Sequence, residues 1–289
     1  MKFHCVDDGV PETTTRFLRE ACAARGVEYV HIDPRWFDFA DERQLEPGAI
    51  LFRPAISLQA IRVEQFLYAD GVSTFYRDPD GIFFSPSSSN LLFQRAGLPI
   101  PRTYYVHNSA RTQIDQWVEK LGGYPVVVKL MGYSRGLGVM RADSPESLYS
   151  LVDYTCAESK TPLLTSYVED AVHWRLIVVG DQVVSGYQNR KDHNDFRTYA
   201  DKDPADFRHP IRPELADVAV RAVQALRYEF GGVDVLEHPS GRLYLLESNF
   251  PCYFGTPQEV VGTDVSGAML DHLIAKAARL AAARAVPAP

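Results

Sequence analysis

The sequence predicts an α/β protein built from α+β subdomains, on three observations. Residues 2–32 read as strand, helix and strand, a βαβ opening that continues through a strand at 49–52 and a helix at 58–69. Residues 125–142 place a β-branched strand, a glycine-rich loop and a second strand in succession. Residues 232–248 set two apolar, alternating runs on either side of HPSG, the pattern of an antiparallel hairpin.

Taken in order, the helix predicted at 11–25 is stopped by Gly26 and the one at 58–69 by Gly71, because glycine takes the left-handed conformation that ends a helix without a Cβ clash. No GxGxxG follows the first strand, so this Rossmann-like parallel sheet lacks the dinucleotide fingerprint and is expected to present a substrate surface. Arg53, just past a strand end, is a candidate contact for an anionic substrate or a structurally paired arginine. The polar run at 85–89 caps a helix at 90–96, and LPIPR at 98–102 is extended because proline disfavours helix in the residue before it. That connector divides an amino-terminal unit, 1–97, from a central unit, 98–170, with a carboxyl-terminal unit at 171–289. In the central unit, Ile114, Trp117, Val118 and Leu121 share one helix face, and Ser144 caps a helix that Pro145 and Glu146 begin. A strand is expected at 163–168, and strands at 174–179 and 182–187 flank the Gly180-Asp181 turn. A helix at 213–230 turns Leu215, Val218, Ala219, Ala222, Ala225 and Leu226 inward, and Asp264 caps a final helix through 285.

Composition narrows the function. With 37 Asp and Glu against 30 Lys and Arg, a broad footprint on a phosphate backbone is not expected, and nucleic acid is set aside as a partner. Cys5, Cys22, Cys156 and Cys252 form no CxxC pair, so neither a zinc site nor a disulfide framework is expected, and no histidine stands in a nucleophile signature with Cys252. No run approaches membrane-spanning length and MKFHCVDDGVPE lacks an apolar segment behind a basic one, so the expectation is a cytoplasmic protein that does not enter a membrane. Self-association is left open.

The chemistry gathers on two stretches. In FGGVDVLEHPSGRLYLLESNFPCYFG, a four-residue turn at 238–241 sets Glu237 opposite Arg242 and Asp234 opposite Leu245, which brings Asp234, Glu247 and Asn249 to one sheet face. Oxygen donors without Cys or His suit a hard cation, and Mg²⁺ with a nucleotide phosphate is the reading that matches them, against a hairpin of merely solvated acids. In VVVKLMGYSRGLGV, Gly132, Gly136 and Gly138 free backbone N–H groups to turn toward an anion, Ser134 lies between them, and Lys129 adds a positive charge, so the loop is a candidate phosphate cover. The backbone of Ser166, Tyr167 and Val168 is a candidate adenine contact, with Glu169 near the ribose. The polar stretch at 189–213 reads as a lid or substrate contact in which Arg190, Lys191 and Arg197 face an anionic substrate.

Placed in order, these pieces resemble the ATP-grasp superfamily, and within it the RimK-type carboxylate-amine ligases, from the amino-terminal sheet to Gly255. GVDVL and LYLLESN resemble the paired metal signature, which implies Asp234, Glu247 and Asn249 as Mg²⁺ ligands. RLIVVGDQVV and DFRT resemble two arginine-bearing motifs, implying Arg175 near the phosphates and Arg197 near the phosphates or the acyl intermediate. The chain departs from the pattern where SPSSSN replaces an Asp-Lys pair before the connector, near His173 where an acid is usual, and after Asn249, where FPCYFG reshapes the acceptor pocket through Phe250 and Tyr253. The resemblance implies an ATP-grasp fold with an amino-terminal pre-ATP-grasp sheet, ATP and Mg²⁺ as cofactors, and an amide formed through an acyl phosphate from a small-molecule or peptide carboxylate and an amine acceptor. Two rivals stand beside it: a small-molecule kinase on the same fold, and a nucleotide-binding subunit without turnover.

Overall fold

The structure is a computed structural model in which residues 1–84, 88–133, 136–191 and 194–285 are described. It opens with β1 (Lys2–Val6), α1 (Glu12–Ala24), β2 (Glu28–Ile32), β3 (Ile50–Phe52) and α2 (Leu58–Leu67). The three strands form a parallel sheet in the order β2-β1-β3. α1 buries Phe17, Leu18, Ala21 and Cys22 on one face of that sheet. α2 buries Ala60, Val63 and Leu67 on the other. A parallel sheet must be covered on both faces, and the alternation of strand and helix supplies both covers.

α3 (Ser89–Arg95) leads into β4 (Thr103–Tyr105), α4 (Arg111–Leu121), β5 (Val126–Lys129), β6 (Val139–Ala142), α5 (Pro145–Ala157) and β7 (Leu163–Ser166). The strands make an antiparallel sheet in the order β4-β7-β5-β6. Its apolar face, with Val126, Val128 and Leu164, closes on Ile114 and Val118 of α4 and on Leu148 and Val152 of α5. Alternation then sends Val127 and Lys129 to the opposite face. α5 begins with a reciprocal pair in which the Ser144 side chain accepts from the Ser147 N–H and the Ser147 side chain accepts from the Ser144 N–H.

The rest comprises β8 (Val172–Val179), β9 (Gln182–Lys191), β10 (Thr198–Tyr199), α6 (Pro213–Ala225), β11 (Phe230–Glu237), β12 (Leu243–Asn249), α7 (Gly255–Val261) and α8 (Val265–Ala285). The third sheet runs β10-β9-β8-β11-β12. Trp174, Leu176, Val178, Val233, Val235 and Leu245 pack on one side against Leu215, Val218, Ala219, Ala222 and Val223 of α6. On the other side Ile177, Val179 and Phe230 share a core with Phe3, Ile50 and Phe52 of the first sheet and with Leu270 and Leu273 of α8. α8 therefore joins two sheets in one core.

Two parts of the sequence reading change. The stretch expected to be irregular at 189–213 holds the end of β9, the short strand β10 and a 3₁₀ turn at Pro204–Phe207. The hairpin is also shifted: Glu237 faces Leu243 and Asp234 faces Glu247, with a bulge between Asp234 and Val235. Because Leu273 is fully buried in the core shared by two sheets, Leu273→Ala should lower the unfolding free energy by about 2–5 kcal/mol, read from the urea midpoint.

Candidate active site

The face of the third sheet that is apolar at one end becomes polar at the other. Phe230, Ile177 and Val179 lie in the core. Two residues further along β11 stands Gly232, and beyond it Asp234, opposite Arg175 on one neighbouring strand and Glu247 on the other. Arg175 Nη1 donates to Asp234 Oδ2 at 2.7 Å, with both side chains largely buried. A Cβ on Gly232 would stand 2.7 Å from Arg175 Nη2 and 2.8 Å from Cys252 Cβ, so this glycine leaves the room the guanidinium occupies. Burial by itself would raise the Asp234 carboxyl, but the Arg175 guanidinium beside it prevails and holds it below the usual carboxylate range. The same carboxylate keeps Arg175 charged against its own burial.

Glu247 accepts from Asn249 Nδ2 at 2.7 Å and from Lys129 Nζ at 3.1 Å. Lys129 comes from the central sheet, so this contact bridges two sheets. Asp234 and Glu247 are direct cross-strand partners, and their carboxylates reach each other. Two carboxylates so placed call for a cation between them. Among the described residues no three His, Cys, Asp or Glu side chains gather as a metal cage; the third oxygen here is the Asn249 amide. One or two carboxylates and an amide, with no nitrogen or sulfur ligand, fit Mg²⁺ better than zinc.

The glycine-rich loop is partly described. Gly132, Gly136 and Gly138 all have positive φ, at 84°, 73° and 74°, which is the conformation their residue type permits. Ser134 lies outside the described residues. Gly138 accepts from Leu130 N at 2.8 Å, closing the base of the loop. Arg197 Nη1 donates to the Gly136 carbonyl at 3.1 Å, and its other donors go to Asp195. Phe196 packs edge-on to Tyr167, so the segment carrying Arg197 lies over both loop and hinge. Ser166 ends β7, Tyr167 lies under the Arg141 guanidinium at 4.6 Å, Val168 is half-buried, and Glu169 is exposed.

Several expected substrate residues have other employment. Arg53 is buried: its Nε donates to Glu64 Oε2 at 2.7 Å, and its remaining donors meet the Ala55 carbonyl and the Tyr76 hydroxyl. It is a structural arginine, because a charge removed from water must be paired where it lies. Arg190 is held by Asp201, Asp203 and Asp206, which leaves it little charge to offer a substrate. Lys191 is exposed at the end of β9. Phe250 stacks on Tyr228 at 4.4 Å and meets Tyr76 at 5.2 Å, so it is half core. Tyr253 is exposed, its hydroxyl 3.2 Å from Thr13 Oγ1.

The structure brings to this site residues to which the sequence reading gave no role. His173 Nε2 lies 3.3 Å from Asp234 Oδ1 without hydrogen-bond alignment, while its Nδ1 meets the Thr198 hydroxyl. Its β9 partner across the hairpin, Asn189, buries an unpartnered Oδ1. The signal for both was strand parity, since His173 shares a face with Arg175. Cys252 lies against Arg175 and Gly232, and burial pushes its thiol up to about 12 despite the arginine.

Residues 87–273 match the RimK-like ATP-grasp domain. The chain belongs to the RimK-like ATP-grasp family. It is 29% identical over 181 residues to the ribosomal protein bS6–L-glutamate ligase of Shigella boydii, covering 62% of this chain and 59% of that one. It thus spans about six tenths of the length of that curated relative. Among solved structures it is similar to the D-cycloserine synthetase DcsG, at TM-score 0.72 and 15% identity over 97% of this chain and 100% of that one. It is also similar to the ATP-grasp ligase PsnB complexed with precursor peptide PsnA2 and AMPPNP, at TM-score 0.70 and 18% identity over 96% and 98% of the two chains. Those likenesses establish a shared ATP-grasp fold. Among the described residues no helix is long and apolar enough to cross a membrane.

The triad divides in its consequences for folding. Asp234→Ala strands a buried Arg175 and should cost about 3–5 kcal/mol, whereas Glu247→Gln, on a side chain 39% exposed, should change stability by under about 1 kcal/mol; chemical denaturation of both variants checks this. Iodoacetamide at pH 8 should label the half-buried Cys156 well before Cys252, whose thiol stays protonated there; peptide mapping gives the order.

Proposed function

We propose that the protein is an ADP-forming carboxylate-amine ligase that uses ATP and Mg²⁺ to join a small-molecule or peptide carboxylate to an amine. The observation that carries this reading is the meeting of Asp234, Glu247 and Asn249 with Lys129 and Arg175 on one polar sheet face, in a chain of the RimK-like ATP-grasp family. In the proposed reaction a substrate carboxylate oxygen takes the γ-phosphoryl group of ATP and ADP leaves. An amine then attacks the carbonyl carbon, phosphate departs with the bonding pair, and the amine gives up a proton, leaving an amide.

Mg²⁺, held by Asp234, Glu247 and Asn249, would supply charge neutralisation on the phosphates. Lys129 and Arg175 keep positive charge on that face; the Lys129 ammonium, three donors on a flexible stem, can move from Glu247 to a phosphate oxygen. The positive-φ glycines at 132, 136 and 138 leave N–H groups free of Cβ obstruction for the phosphates. Ser166, Tyr167, Val168 and Glu169 are assigned to the adenosine half, and Arg197, bonded to the loop carbonyl of Gly136, to closure over it. Such closure serves the chemistry because an acyl phosphate is lost to water. Phe250 and Tyr253 border the acceptor side and favour an amino acid or short peptide with an apolar portion. Four free cysteines suit the reducing cytoplasm.

Incubation with ATP, Mg²⁺, a panel of amino acids and peptides as the acid, and hydroxylamine as the amine should yield a hydroxamate together with ADP and phosphate. A stable phosphate ester on a hydroxyl compound would replace this reading with a kinase, and AMP with pyrophosphate would refute both. Lys129→Ala should lower kcat/KM for ATP by about 10- to 100-fold, the value of one charge-assisted contact, while the urea midpoint stays near that of the parent.

A further inference from the structure

A line of polar contacts crosses the third sheet beside the triad. His173 on β8 turns Nε2 toward Asp234 Oδ1 on β11, 3.3 Å away, and meets the Thr198 hydroxyl of β10 through Nδ1. A proton on Nε2, the nitrogen that faces a carboxylate, leaves Nδ1 to accept from the Thr198 O–H. β9 lies between β8 and β10, so the contact with Thr198 passes over it beside Asn189, the β9 partner of His173. Buried polar groups are as a rule hydrogen-bonded, and the exceptions concentrate where function imposes the arrangement. Two exceptions meet here: His173 Nε2 has no aligned hydrogen bond, and Asn189 Oδ1 is buried without a partner.

What the contact holds is the residue next to Arg197. β10 is two residues long, and Thr198 is where the chain re-enters the sheet, paired with Lys191. Arg197 stands just before it, exposed, with Nη1 donating to the Gly136 carbonyl of the glycine-rich loop at 3.1 Å. The ion pair of Arg197 with Asp195 is made two residues away and travels with the segment, so it fixes nothing relative to the sheet. Among the described residues, the segment is tied to the central sheet and its loop by the Gly136 carbonyl and by Phe196 against Tyr167. It is tied to the sheet that bears Asp234 and Glu247 by the short pairing of β10 and by Thr198 against His173.

We propose that His173 is a positioning residue for the ligase reaction, holding Thr198 and through it the Arg197 guanidinium at the glycine-rich loop; the inference rests on the ligase reading of the site. The hold is referred to a fixed point. Asp234, pinned by Arg175 at 2.7 Å, lies against the other nitrogen of His173, so the ring is set from the triad side as well as from β10. An exposed arginine on a short segment thereby takes its place from the buried acid of the triad. Misplacement of such a group by about 1 Å can cost on the order of 100-fold in rate, so a hold of this kind acts on kcat more than on stability.

Kinetics of hydroxamate and ADP formation by the full chain, with hydrogen exchange of residues 196–199, test the assignment. Thr198→Val removes the hydroxyl and His173→Ala the ring. Each should lower kcat about 10-fold at saturating ATP, with KM for ATP changed by less than about 3-fold, and speed exchange at 196–199 by about fivefold or more. Thr198→Ser, which keeps the hydroxyl, should recover most of the rate. In an Arg197→Ala background, His173→Ala should change kcat by less than about twofold, because a residue that acts through Arg197 then has nothing to position. A histidine that only supports the fold would cost the same in both backgrounds. Equal losses in the two backgrounds, no recovery with serine, or exchange unchanged by Thr198→Val would overturn the proposal. A parent chain that forms no hydroxamate with any acid of the panel would refute the ligase reading itself, a failure told apart from that of His173 because it precedes any substitution.

Discussion

Every polar group of the triad owes its position to one extra residue in β12. From the turn, the hairpin pairs Glu237 with Leu243, Leu236 with Tyr244 and Val235 with Leu245. Continued without interruption, that register would set Asp234 opposite Leu246 and turn Glu247 and Asn249 toward Val233 and the apolar flank of α6. A carboxylate there would be stripped of water with no partner, which folding does not tolerate. The bulge leaves Leu246 without a cross-strand partner, and Asp234 meets Glu247 directly. A defect in the ladder is therefore what places two acids side by side.

The arginine beside them solves the problem so created. Asp234 is nearly buried and Arg175 almost as much, yet each is charged because the other is there. Gly232 completes the arrangement by giving up its side chain to the guanidinium. One sheet face can thus be hydrocarbon at Ile177, Val179 and Phe230 and ionic only a few residues further on, with glycine at the changeover. Cys252, wedged at this point, is a packing residue, its thiol held protonated by burial.

Local pattern made much of this legible. Helices came from apolar spacing and capping residues, as at Ser144 and along α6, where Leu215, Val218, Ala219 and Ala222 are buried as expected, while Val223, not expected inward, is buried too and Ala225 is only half-buried. Asp234, Glu247 and Asn249 were placed on one face by parity, although the register that led there was wrong: a turn one residue different from the expected one would have separated them, and the bulge brought them back. A bulge has no local signature in YLLESN, since its cause is the penalty of burying Glu247 against α6, a contact with a distant helix. The same limit explains Arg53 and Arg190. Nothing near Arg53 in sequence announces Glu64 and Tyr76, and nothing in NRKDH reveals that Asp201, Asp203 and Asp206 fold back on Arg190. Arginines that look free in a sequence are often spent by acids brought in from elsewhere in the fold.

The contact between Lys129 and Glu247 carries the argument from structure toward action. It joins the central sheet to the third sheet through one ion pair of partly exposed side chains, the kind of contact worth little for stability. Its weakness is useful. On the proposed reading, Lys129 can leave Glu247 for a nucleotide phosphate, and Glu247 would then be one of the residues that hold Mg²⁺, so its carboxylate would keep a cation beside it. Asp234 cannot exchange so freely, because Arg175 is buried with it and would lose its counter-ion. The two acids of one site are accordingly held to different degrees, Asp234 as a fixed anchor buried beside Arg175 and Glu247 by a partly exposed ion pair to Lys129.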